Sequence, residues 1–142
     1  MQQNYLALVV LVDSEISSVV EDQGNLRIRF AAARACHPNG KPFGYVRTVE
    51  VFARAALWHG NLSLSFGTVS AGLLLDGGVV LSSIPIPYQS MLPCVLELAF
   101  ANGELLRVQA DSVSILAIVP LQFTDSNECQ VQDVVPSGAM PP

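Results

Sequence analysis

The sequence predicts an all-β protein, a single-domain antiparallel β-sandwich or small barrel of about 8–9 strands, with a short helix near 46–58 left open. Three observations predict it. Apolar residues recur at every second position over several stretches, the spacing of a pleated strand with one buried face. Two of those stretches are followed by pairs that suit tight hairpins, Gly77-Gly78 after Asp76, and Asn102-Gly103. The strands are short and fairly regularly spaced, as in sandwiches and barrels.

The clearest element runs from Cys94 to Val119. Leu96, Leu98 and Phe100 alternate with Val95, Glu97 and Ala99. Asn102-Gly103 tolerates positive φ at both central positions of a type I′ turn, which implies a two-residue hairpin loop. Leu106, Val108 and Ala110 then alternate with Arg107 and Gln109 on the return. Asp111-Ser112 turns into a last strand, Val113 to Val119.

Residues 4–12 read as a first, central strand, because both faces are apolar. Asp13-Ser14-Glu15 closes it, and Ile16 to Val20 adds a short second one. Glu21 to Gly24 is a turn. Leu26, Ile28 and Phe30 alternate with Arg27 and Arg29 in a half-buried strand that continues to Cys36. His37 to Gly44 is a loop by composition, with two prolines and two glycines.

Tyr45 to Trp58 reads either way. As a strand, Val49, Val51, Ala53, Ala55 and Leu57 share a face; as a helix, Glu50 and Arg54 pair one turn apart. The β-branched residues Val46, Thr48, Val49 and Val51 favour strand. Leu62, Leu64 and Phe66 alternate with Ser63 and Ser65 and predict another strand. Val69 to Leu75 follows, with Val79 to Ser82 as its return. Ile84-Pro85-Ile86-Pro87 lacks two ladder donors and belongs at an edge or in a connector. The β domain is therefore 1–123, and 124–142 is a polar, proline-containing C-terminal tail.

Hydrophobic residues make up 51% of the 142 and charged residues 13%, which excludes global disorder and suits a large core. The net charge of −5 argues against nucleic-acid binding. The charge is uneven. Residues 27–54 hold six of the seven basic side chains against one acid, a net +5, leaving one base and eleven acids elsewhere, a net −10. The apolar run Tyr5 to Val12 is too short to span a bilayer and lacks the flanks of a signal peptide, so a non-membrane, cytoplasmic protein is expected.

The segments V-L-E-L-A-F-A-N-G-E-L-L-R-V-Q-A-D-S-V (95–113), I-P-I-P-Y (84–88) and H-P-N-G-K-P-F-G-Y-V (37–46) resemble small bacterial all-β domains of unknown function, over residues 25–118. That resemblance implies a cytoplasmic bacterial β-domain and supplies no catalytic residues.

Cys36, Cys94 and Cys129 are sparse and odd in number, unlike a disulfide framework. With His37 and His59 they show no metal-ligand spacing, so neither metal nor cofactor is expected. Cys36 and His37 are neighbours that point to opposite faces of a strand. The closest acid pairs, Asp13/Glu15 and Glu21/Asp22, sit at turns where carboxylates are ordinarily solvated. No nucleophile elbow or phosphate loop is present.

What remains is a non-enzymatic protein-interaction module of the inhibitor, immunity or anti-defence type. Its acidity would steer it toward a basic partner protein. The alternatives are a small-ligand-binding barrel or sandwich, or a homo-oligomeric structural protein joined at a strand edge. The candidate partner-binding surface is Arg27, Arg29, Arg47 and Arg54 with the aromatics Phe43, Tyr45 and Trp58. Against it stands the plainer reading that the arginines solvate a strand face and pair with Glu50 and Glu97.

Overall fold

A computed structural model of the chain describes residues 7–36, 42–90 and 92–123. Eleven strands occur among the described residues: β1 (Ala7–Asp22), β2 (Asn25–Cys36), β3 (Pro42–Arg54), β4 (Leu57–His59), β5 (Gly67–Asp76), β6 (Val79–Leu81), β7 (Ser83–Ile86), β8 (Tyr88–Gln89), β9 (Cys94–Phe100), β10 (Leu105–Ala110) and β11 (Ser112–Phe123). Neighbours follow the order β4-β10-β9-β5-β1-β2-β3-β11-β8, with β6 on β5 and β7 on β1. Every pairing is antiparallel, and the path is open, ending at β4 and β8.

Two halves make up this sheet. β1, β2, β3 and β11 are the long strands; β5, β9, β10 and β4 form the shorter half. Among the described residues, their strands pair only where Glu15 and Ile16 of β1 meet Thr68 and Gly67 of β5. The inward side chains of both halves, among them Ile28, Val51, Leu74, Leu98 and Val108, form one core. Leu11 of β1 and Leu98 of β9 close over Gly72, where an added Cβ would lie 3.0 Å from Leu11 Cβ and 3.1 Å from Leu98 Cδ2. That contact brings the inner faces of the halves together, the arrangement of a folded-over sheet rather than a closed barrel.

The long strands bend in step. In β2 the buried positions run Ile28, Phe30, then Ala33 and Ala35; in β3 they run Val46, then Val49, Val51 and Ala53. The alternation slips by one residue in both strands at the same place, since Ala33 pairs with Val46. β1 slips beside them. Asp13 takes a left-handed φ of 71°, and Ser14 turns fully inward. Ser14 Oγ donates to Val10 O at 2.7 Å and accepts the Arg34 N–H at 2.8 Å. The extra residue is thus a bulge whose displaced backbone groups are satisfied by one hydroxyl.

This corrects one sequence expectation: Asp13-Ser14-Glu15 does not close a strand, and residues 7–22 are continuous. The open question at 46–58 resolves to strand, with no helix there. β3 is paired on both sides, and Ala55 and Ala56 (Ala55 at φ 51°) separate it from β4. β-branched side chains and two available neighbours outweigh the helical pairing of Glu50 and Arg54.

Leu62 to Leu64 is a short 3₁₀ turn, not the expected strand. The Asn61 side chain accepts the Ser63 N–H at 3.0 Å, an Asx-type turn that competes with extension. The hairpin at Asn102-Gly103 has three loop residues rather than two. Gly103 donates to Phe100 O at 2.9 Å with φ 95°, and Phe100 pairs with Glu104, so a turn and a bulge replace the type I′ pair. A true two-residue loop occurs instead at Gln23-Gly24, both at positive φ, between the paired Asp22 and Asn25.

The strand total exceeds the expected 8–9 because β4, β6, β7 and β8 are two to four residues long, too short to show a period. The expected loop at 37–44 lies outside the described residues up to 41; residues 42–44 belong to β3. The tail at 124–142 lies outside them entirely.

Candidate interaction surface

The arginines of the basic segment lie on the outward face of β2 and β3. Strand alternation puts Leu26, Ile28 and Phe30 into the core and so turns Arg27 and Arg29 to solvent. The same alternation on β3 turns out Glu50, Phe52 and Arg54. Cross-strand register then builds two rows. One is Val20–Arg27–Phe52–Ser114; the other is Ser18–Arg29–Glu50–Leu116.

The rows differ in charge. Arg29 donates to Glu50 at 3.1 Å, so that row is neutral at its centre. Arg27 instead lies 5.4 Å from the Phe52 ring centroid, a cation–π contact that holds the guanidinium without neutralising it. Val20 and Leu116, at 52% and 51% exposure, flank the rows with apolar surface. Arg54 extends the face toward the β10–β11 turn, where its backbone oxygen accepts the Asp111 N–H at 2.9 Å. Arg47 is exposed farther along β3, opposite Gln122.

The aromatic candidates separate. Tyr45 is half-buried on β3, opposite Arg34. Trp58 sits on β4, at the other end of the pairing path, half-buried against the core and opposite Val108. The side chain of Phe43 lies outside the described residues. Glu97 pairs with Arg107 in the shorter half, at 3.0 Å, and not with the β2–β3 arginines.

Four residues of this face lay outside the sequence reading: Val20, Phe52, Leu116 and Arg34. Arg34 pairs with Asp13 at 3.4 Å. The bulge that carries Asp13 has no period-two signature, so the partnership could not be read from spacing. Phe52 could have been found from its alternation with Val51 and Ala53.

A second outward face belongs to the shorter half. Register gives the rows Leu75–Val95–Gln109–Leu57, Leu73–Glu97–Arg107–His59 and Ala71–Ala99–Leu105. Leu57 and Leu105 are 71% and 69% exposed. A hollow of about 460 Å³ opens here, over Ala71, Leu73, Ala99 and Leu105, with Glu97, Arg107 and His59 at its polar side.

One polar cluster lies between the halves. The Tyr88 hydroxyl donates to the Asp76 carboxylate, and Asp76 is the cross-strand partner of Cys94. Burial, and then the Asp76 hydrogen bond and charge, push the Tyr88 hydroxyl well up. Burial likewise pushes the Cys94 thiol up, which suppresses the thiolate a nucleophile requires. Cys94 faces the core while His59 faces solvent, so the two do not meet. Among the described residues, no group of three or more Cys, His, Asp or Glu is placed to hold a metal ion. Among those residues, too, no helix is long and apolar enough to cross a membrane. Comparison with known proteins gave no match to a family model, a curated protein or a solved structure.

Proposed function

We propose that the chain is a non-enzymatic protein-interaction module of the inhibitor or immunity type, bacterial and cytoplasmic, acting through the outward face of β2 and β3. The observation that carries this is the Arg27–Phe52 contact flanked by Val20 and Leu116. Arginine and aromatic side chains are the residue types enriched where interfaces gain most of their energy. A guanidinium held over a ring loses less freedom on binding than a mobile lysine would.

The face fits a partner that presents carboxylates beside apolar surface. Arg27 and Arg54 supply charge that no ion pair within the described residues consumes. Salt confines this attraction to within a Debye length of about 8 Å, and the chain's overall charge of −5 adds nothing to it at longer range. The same acidity disfavours a nucleic-acid partner.

The test is affinity capture with cross-linking from the source cells, using the native chain and the Arg27→Glu/Arg54→Glu variant. A protein recovered by the first and lost by the second, with circular dichroism unchanged, supports the reading. Recovery of nothing, or of the same proteins by both, overturns it.

A further inference from the structure

We infer that the outward face of β5, β9, β10 and β4 seats a second copy of this chain, related by a two-fold axis lying along the strands between β9 and β10. The argument is the face's complementarity to itself. A two-fold axis in that place exchanges β9 with β10 and β5 with β4. Glu97 of one copy then faces Arg107 of the other, and Arg107 faces Glu97, so the ion pair on this face becomes four alternating charges.

The next row matches in shape. Ala99 and Leu105 are cross-strand partners, small beside large. The axis carries each Leu105 onto the Ala99 of the other copy, into the hollow of about 460 Å³ that Ala99 leaves open. In the third row, Leu57 at 71% exposure meets Leu75 of the opposite β5. Charge, volume and apolarity thus agree under one operation. A partner of different sequence would have to reproduce all three.

The face is also neutral at its centre within a chain of net −5, so two copies meet here without like-charge conflict. This surface is distinct from the β2–β3 face, which a dimer of this geometry leaves outward on both copies.

Analytical ultracentrifugation over about a hundredfold range of concentration tests the inference. The native chain is expected to double in mass as concentration rises. Glu97→Arg and Arg107→Glu, each placing like charges opposite one another, are expected to remain monomeric. Their equimolar mixture is expected to form a heterodimer, because each arginine then faces a glutamate. Leu105→Glu is expected to be monomeric alone and in every mixture. A native chain that stays monomeric throughout overturns the inference, whether a small apolar ligand or an unrelated protein fills the hollow. So does a dimer untouched by these substitutions, or two monomeric charge variants whose mixture stays monomeric.

Discussion

Arg107 donates to Glu97 at 3.0 Å across β9 and β10, and the side chains remain 46% and 48% exposed. An ion pair so open to water contributes about 0–1 kcal/mol to folding. Arg107→Ala is therefore expected to change the unfolding free energy of the monomer by less than about 1 kcal/mol, measured by urea titration at low protein concentration. A larger loss would mean that the pair holds the two strands together.

Leu98 and Leu105 make a sharper contrast. Leu98 is 3% exposed and Leu105 69%, on adjacent strands of one hairpin. Leu98→Ala is expected to cost about 2–5 kcal/mol, the transfer and cavity terms of a core leucine. Leu105→Ala is expected to cost the monomer less than about 0.5 kcal/mol. Parallel denaturant curves check both, and equal losses would refute the assignment of faces.

Ser14 bridges the β1 bulge to β2 through one buried hydroxyl, beside the exposed Asp13–Arg34 ion pair. Ser14→Ala leaves the Arg34 N–H without its acceptor, at a cost of about 1–3 kcal/mol. The expected signature is a lowered midpoint with an unchanged denaturant slope, since no surface is newly exposed.

Alkaline pH tests the Tyr88–Asp76–Cys94 cluster. Both the Tyr88 hydroxyl and the Cys94 thiol are pushed above their ordinary values in the fold, chiefly by burial. The unfolded chain therefore releases these protons first, at about 8.5 for cysteine and about 10 for tyrosine. Above those values the folded state holds more protons than the unfolded one, so stability falls as pH rises. It should be complete below about pH 8 and decline through pH 9 and above. Tyr88→Phe should make that decline shallower; an identical slope would exclude the Tyr88 hydroxyl as a source.

The fold class was legible because alternation is local. Leu96, Leu98 and Phe100 needed only the pleat, and they face the core. The bulge at Asp13 was not legible, because a residue at φ 71° with an inward serine looks like a turn in sequence. The 3₁₀ turn at 62–64 kept a strand's alternation while its asparagine closed a local hydrogen bond. The site was half legible. Arg27 and Arg29 follow from alternation, but their neighbours Val20, Phe52 and Leu116 come from three other strands. Register between distant segments decides such rows, and no single segment encodes it.

The central claim is that Arg27 and Arg54 meet the partner. Arginine-selective chemical labelling, read residue by residue by mass spectrometry with and without the captured partner, tests it most directly. Loss of reactivity at Arg27 and Arg54 on adding the partner is the predicted result. Unchanged reactivity at both, with the partner demonstrably bound, would contradict it.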